Sequence, residues 1–420
     1  MGVAKKPKMR DGVVKRGHTW YFVVGVPDLA TGKKKQTWFR GGDTQQAAKD
    51  ARIEKLNQIS NRTFVAPVKV SVGQYLDGWL KSRRSALKPK SYNNYRDCVD
   101  YYLKPTLGDF QLQTLNPLLI SQSYTQLIES GGGKSNGKGV SPRTVESVHA
   151  VLRTALNDAV ANRLIPENPA LSKALHTPAG SRSESEIRVM TKAQLKAVLS
   201  AVADHRLKAL FELAARTGMR RGECVALRWS DIDFAAATIH VRRNAGTVKN
   251  ENYDGSGLRN RRIEGNPKSG RSRVIPISKK LVAILREHKA KQSAERLRIG
   301  SLWRGSDDSV FTTEFGAQIH PDTPTGLFTR LRPLLGQLPK DQRPTFHSFR
   351  HTHATTLLLS GTPPHVVAHR LGHRDANVTL AIYAHLLPGY DVQAAELFDA
   401  EMDKPVEGEA TDEDQISKSS

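Results

Sequence analysis

Residues 347–359 read His347-Ser348-Phe349-Arg350-His351-Thr352-His353-Ala354-Thr355-Thr356-Leu357-Leu358-Leu359. The spacing predicts a helix on which the His347 imidazole and the Arg350 guanidinium stand one turn apart and face the same way. Leu371-Gly372-His373 follows after a helix-turn pattern, with Tyr383 ten residues beyond it. Upstream, Thr217-Gly218-Met219-Arg220-Arg221-Gly222-Glu223 places two arginines just past a helix end, where a new helix opens. Pro267-Lys268-Ser269-Gly270 sets a lysine in the tip region of a hairpin. These four segments hold the densest polar constellation in the chain.

On either side of these segments the sequence divides by texture. Residues 1–63 predict strands at 13–15, 20–26 and 36–39, then a helix capped by Thr44 and running to about Leu56. This segment holds 14 basic and 5 acidic residues. A three-stranded sheet edged by Lys33, Lys34, Lys35 and Arg40 has dimensions suited to a DNA major groove. Residues 64–176 predict helices: Val72, Leu76, Trp79 and Leu80 share one face, and Tyr92, Tyr95, Val99 and Leu103 repeat the spacing. Pro117 starts a third helix, and Ser141-Pro142 open a fourth toward Leu164. Between those two, Gly131-Gly132-Gly133-Lys134-Ser135 imitates a phosphate-binding loop, but Ile128 occupies the position of the required first glycine and no strand precedes it. It reads as a flexible loop.

Residues 177–188 read as a linker and residues 189–399 as a third unit. That unit has a helix capped by Thr191, a helix from about Arg206 to Thr217, and strands at 238–243 and 272–277. Residues 244–271, rich in Gly, Asn and Arg, read as a long hairpin connection between those strands. Helical texture resumes at Ser278 and continues to about Phe398. Residues 400–420 form an acidic tail whose composition predicts disorder. The fold class expected is therefore α+β and multidomain: a small sheet with one helix, a helical unit, and a mainly α unit with a small β-sheet.

Of 420 residues, 64 are Lys or Arg and 41 are Asp or Glu, a net charge of +23. The excess is unevenly spread: residues 391–420 carry −8 and the remainder +31. A body this basic concentrates polyanions, because each neutralised phosphate releases a condensed counterion. No apolar run nears the ~20 residues of a membrane span, and the basic N-terminus has no apolar stretch behind it. Cys98 and Cys224 alone provide neither a disulfide framework nor a zinc site. Seven histidines crowd residues 347–385, and His369 and His373 have zinc-helix spacing. Gly372 interrupts that helix, however, and no acidic third ligand accompanies the pair, so no metal site is expected.

Together, residues 217–227 (TGMRRGECVAL), 267–277 (PKSGRSRVIPI), 347–359 (HSFRHTHATTLLL) and 371–385 (LGHRDANVTLAIYAH) resemble the catalytic domain of the tyrosine recombinases, the phage integrase family. The resemblance spans about residues 185–390. By layout, residues 1–63 resemble that family's arm-binding domain and residues 64–176 its core-binding domain. The resemblance implies a site-specific recombinase acting on double-stranded DNA, with Tyr383 as nucleophile, a 3′-phosphotyrosyl intermediate and a free 5′-hydroxyl. It implies that Arg220 and Arg350 hold the nonbridging oxygens and that His347 handles the tyrosine proton. Lys268 would protonate the leaving 5′-oxygen and His373 would donate to the phosphate, with Glu223 orienting Arg220. No cofactor is expected, since two guanidiniums bring the charge that a metal would supply.

The same resemblance implies a homotetramer on DNA, accessory bending or excision factors, and a place in the bacterial cytoplasm at the nucleoid. Two other readings share parts of this pattern: a type IB topoisomerase, with the same chemical logic, and a DNA-binding regulator without catalysis. The long 244–271 connection and the acidic tail depart from the family's usual outline. Residues 392–398 offer an apolar face for docking on a neighbouring subunit, and the later tail is expected to weaken nonspecific DNA binding at low salt.

Overall fold

A computed structural model describes residues 12–27, 34–61, 64–133, 137–176, 188–250, 260–267, 270–305, 308–339 and 342–373, with scattered positions between 395 and 403. The chain divides into two compact units, Met1–Ser183 and Glu184–Ser420.

In the first unit, β1 (Val13–Arg16), β2 (Thr19–Pro27) and β3 (Lys34–Gly42) form an antiparallel sheet in that order. Val13 pairs with Phe22 and Phe22 with Phe39, so one face presents these apolar side chains together with Val24. Helix α1 (Gln45–Ser60) packs there through Ala48, after Thr44 Oγ1 accepts the Ala47 N–H at 3.2 Å. Trp38 and Arg40 stand on the opposite face, where the Arg16 guanidinium lies 4.2 Å from the Trp38 ring.

Helices α2 (Val72–Arg83), α3 (Pro89–Cys98), α4 (Lys104–Leu107), α5 (Pro117–Ser130) and α6 (Pro142–Ala161) surround a second core. Val72, Leu76, Trp79 and Leu80 all enter it. The Tyr92 to Leu103 spacing does not belong to one continuous α-helix, because a π turn at Val99–Leu103 separates α3 from α4. Polar ties fix the packing: Tyr75 Oη donates to the Ala155 carbonyl at 2.6 Å, and Trp79 Nε1 donates to Asp158 at 2.6 Å. Gly131 ends α5, and the Gly133 N–H donates to the Tyr101 carbonyl at 2.8 Å.

The second unit opens with α7 (Lys192–Ala201), α8 (Lys208–Thr217) and α9 (Arg221–Val225). A sheet of β4 (Ile232–Asp233) and β5 (Thr238–Val241) follows, completed by the later strand β8 as the order β4-β5-β8. Between β5 and β8 (Arg273–Pro276), the chain forms a separate antiparallel ribbon of β6 (Asn244–Lys249) and β7 (Asn260–Gly265). The long hairpin connection expected over 244–271 thus carries a strand pair of its own, which its composition does not mark. The ribbon buries only Ala245 and Val248, too little apolar surface to mark a strand amid Asn, Gly and Arg.

Helices α10 (Lys279–Ile299), α11 (Thr323–Leu331), α12 (Ser348–Leu359) and α13 (Pro364–Leu371) complete the unit. The expected helical run is broken between α10 and α11, where Arg228 bridges Ser309 and Thr312 bridges Gln318. Arg206, expected at the start of α8, lies before it and pairs with Glu295 at 2.5 Å. The core centres on Phe211, Phe328, Phe346 and Phe349, whose rings meet edge to face at 5.3–6.5 Å. This aromatic cluster joins α8, α11 and α12 and so fixes the bases of the elements that carry the polar constellation.

Candidate active site

Helix α8 ends because Gly218 adopts the left-handed conformation at φ 64°. Its N–H caps the Ala214 carbonyl at 3.1 Å, while Thr217 Oγ1 accepts the Met219 N–H at 3.3 Å. Only glycine fits: a Cβ there would lie 2.7 Å from Leu371 Cδ2 and 2.9 Å from His353 Cδ2. The turn delivers Arg220 to the N-cap of α9 and exposes the Gly218 carbonyl to α12. Arg350, buried on α12, donates from Nη1 to that carbonyl at 2.9 Å.

Arg220 is held by two acceptors. Its backbone N–H donates to Glu223 Oε2 at 2.9 Å and its Nη1 to Glu223 Oε1 at 3.0 Å. Its Nη2 donates to the Gly372 carbonyl at 3.3 Å. Glu223 is fully buried and also receives a two-pronged contact from Arg273, Nη1 to Oε1 at 3.1 Å and Nη2 to Oε2 at 2.7 Å. Burial by itself would raise the Glu223 pKa, but the hydrogen bond and charge of Arg273, followed by those of Arg220, hold it below the usual carboxylate range. The carboxylate is therefore ionised, and an ionised carboxylate can only accept.

His373 follows the C-cap of α13. Gly372 is left-handed, its N–H donating to the His369 carbonyl at 2.9 Å, and the His373 N–H reaches the Ala368 carbonyl at 3.0 Å. This turn separates His369 from His373, so the two do not share a helical face. Burial, then the charges of Arg350, Arg220 and Arg273, push the His373 pKa down to about 4. The ring is neutral at pH 7 and can donate one hydrogen bond without adding charge. His347 sits exposed at the N-cap of α12, its ring edge-on to His351 at 4.9 Å. Burial followed by the Arg350 charge lowers the His351 pKa.

The structure thus brings Arg220, Glu223, Arg350 and His373 into one network, with His347 at the head of the same helix as Arg350. Lys268, Tyr383 and Lys33 lie outside the described residues, as do residues 177–187 of the linker and most of residues 392–420. Lys34, Lys35 and Arg40 are exposed on β3, and Arg40 makes a loose surface pair with Asp43 at 3.5 Å. Sequence reasoning misses Arg273 as a member of the network, and misses Arg16 beside Trp38. Arg273 is legible in principle: β8 alternates buried and exposed, so Arg273 and Ile275 share the inward face, and an inward arginine needs an anionic partner.

Chemically, two guanidiniums on one carboxylate, with Arg350 anchored separately on the Gly218 carbonyl, leave an excess of positive charge and a set of N–H donors suited to an anion with dispersed charge. Among the described residues, no group of three or more His, Cys, Asp or Glu side chains could hold a metal ion. No helix among them is long and apolar enough to cross a membrane.

Comparison with known proteins agrees with this architecture. Residues 188–389 match the Phage integrase family, residues 71–128 the phage integrase N-terminal SAM-like domain, and residues 13–59 an Arm DNA-binding domain. The tyrosine recombinase XerC-like protein of Caldanaerobacter subterraneus subsp. tengcongensis is 31% identical over 391 residues, covering 91% of this chain and 96% of that protein. The ICEBs1 integrase of Bacillus subtilis is 24% identical over 338 residues, covering 79% and 83%. Among solved structures, the Tn1549 transposon integrase in complex with transposon right end DNA superposes with a TM-score of 0.61 at 19% identity, over 79% of this chain and 100% of that one. A lambda integrase tetramer bound to a Holliday junction gives 0.54 at 18% identity, over 89% and 96%. The chain belongs to the tyrosine recombinase family, the phage integrases, and its α+β fold is theirs.

Proposed function

We propose that this recombinase is an integrase that cuts and rejoins duplex DNA at specific sites, moving a mobile element or prophage into a bacterial chromosome and out again. Tyr383 Oη attacks the scissile phosphorus, its proton passing to His347, and a 3′-phosphotyrosyl ester forms as the bond to the 5′-oxygen breaks. Lys268 gives that oxygen its proton. The ester conserves the energy of the phosphodiester, so rejoining by the 5′-hydroxyl of a partner strand needs no nucleotide cofactor. Arg220 and Arg350 hold the nonbridging oxygens of the phosphorane, and neutral His373 donates a further hydrogen bond.

The observation that carries this reading is the anchoring of Arg220 and Arg350 to one turn. Arg350 grips the Gly218 carbonyl, and Arg220 follows Gly218 by two residues. Two cations held this rigidly are preorganised for a charge that grows only in the transition state.

Residues 1–63 act as the arm-type DNA-binding domain through Lys33, Lys34, Lys35 and Arg40. Residues 64–176 contact the core site, joined by a linker at 177–188 to the catalytic domain at 189–399. The assembly is a homotetramer on two DNA sites, by analogy with the lambda integrase tetramer bound to a Holliday junction, served by accessory bending or excision factors. It works in the cytoplasm, at the nucleoid.

Sequencing the junctions formed when the gene and its flanking DNA enter a recipient genome tests this reading. Reciprocal junctions at one recurrent short sequence are expected. Relaxation of supercoiled plasmid by the monomer, with no junctions, would instead identify a type IB topoisomerase. Binding without any covalent adduct would identify a regulator.

A further inference from the structure

We propose that Arg273 is a positioning residue for Arg220, acting through Glu223 and the Gly372 carbonyl. The inference rests on the reading of Arg220 as a phosphate ligand. Arg220 touches two acceptors in this network, and Arg273 supports both of them. It clamps the Glu223 carboxylate through two N–H donors, which fixes the plane of the carboxylate and so the direction from which Arg220 is held. Its Nε donates to the Arg370 carbonyl at 3.0 Å, just before the turn that presents the Gly372 carbonyl to Arg220. That turn closes directly over the Arg273 guanidinium, since a Cβ on Gly372 would lie 2.8 Å from Arg273 Nη1.

Stability alone does not account for this arrangement. The Arg273 side chain is only 5% exposed and Glu223 is wholly enclosed. Replacing a buried ion pair with packed apolar groups is often neutral or stabilising, so an isolated Arg–Glu pair is weak evidence for a stabilising role. Position 273 lies on the inward face of β8 beside Ile275, where an aliphatic side chain would suit the core. What arginine adds there is a fork that orients a carboxylate. The oriented carboxylate in turn sets the backbone N–H and the Nη1 of Arg220, leaving other donors of its guanidinium for the phosphate.

The test uses the full-length protein and single-turnover trapping on nicked suicide duplexes carrying the element's own junction sequence. Arg273→Met should slow covalent-adduct formation by roughly tenfold to a hundredfold, by analogy with the loss seen when partners that orient metal ligands are removed, with DNA affinity unchanged. Arg273→Lys keeps a cation against Glu223, so it folds even if the Met variant does not, and it should recover part of the rate. In an Arg220→Lys background, Arg273→Met should slow trapping no further. The acid limb of the rate profile should also move to higher pH in Arg273→Met, because Glu223 then has fewer cationic partners offsetting its burial. Equal slowing in both backgrounds, or a rate loss with an unmoved acid limb, would show that Arg273 is structural only. If Arg220→Lys itself traps at the wild-type rate, the assignment of Arg220 fails, and the positioning role of Arg273 fails with it.

Discussion

Arg350 on α12 donates from Nη1 to the carbonyl oxygen of Gly218 at 2.9 Å, joining residues 132 positions apart. That bond makes the Gly218 turn a shared support: it ends α8, starts the approach to Arg220 and anchors the second arginine. Gly218→Ala places a Cβ at φ 64° and against Leu371 and His353. The expected loss is about 2 to 4 kcal/mol, which lowers the melting temperature by roughly 5 to 10 °C for a unit of this size. Adduct formation should fall as well, and a melting temperature equal to wild type would contradict the role assigned to the turn.

The His353 ring has a defined protonation state. Its Nε2 accepts from Arg370 Nε at 3.0 Å and its Nδ1–H donates to the Ala215 carbonyl at 3.1 Å, so the neutral Nδ1–H tautomer fits. Burial, then the Arg370 charge, pushes its pKa down to about 4 from an ordinary 6.5. Because the folded pKa is depressed, the unfolded chain takes up this proton first as pH falls. The stability is fully present above pH 6.5 and is lost between 6.5 and 4, in total on the order of 3 kcal/mol. Urea unfolding at pH 7 and pH 4.5 should show a smaller difference for His353→Gln than for wild type. Equal differences would contradict the burial of a neutral ring at this position.

Lys34, Lys35 and Arg40 stand exposed on β3. If they meet phosphates, each alanine substitution weakens binding to all duplex sequences alike. Each should also make the plot of log K against log salt shallower by about 0.9 for every phosphate left without its cation. A salt titration with an unchanged slope would remove these residues from the DNA interface.

The parts legible in sequence and the parts that are not differ for physical reasons. The strands of the N-terminal sheet announce themselves because runs rich in Val and aromatic residues, such as Trp20 to Val26, stand between turn signals. The helical unit does so through Val72, Leu76 and Trp79. The β6–β7 ribbon buries only Ala245 and Val248, so its pairing leaves no apolar pattern to read. The π turn at Val99–Leu103 keeps an almost helical spacing and is invisible to periodicity. At the site, Arg220, Arg350 and His373 stand out through ordered motifs. Arg273 hides among the basic residues of its hairpin, because its burial depends on a partner fifty positions away in sequence.

Covalent trapping by the Tyr383→Phe variant on a nicked suicide duplex of the element's junction sequence decides whether Tyr383 is the nucleophile. Wild-type protein should form a denaturant-stable adduct attached through the 3′-phosphate and leave a free 5′-hydroxyl. The variant should bind the same duplex with equal affinity and form no adduct. A covalent adduct with Tyr383→Phe would contradict the account, because another residue would then be the nucleophile that Arg220 and Arg350 serve.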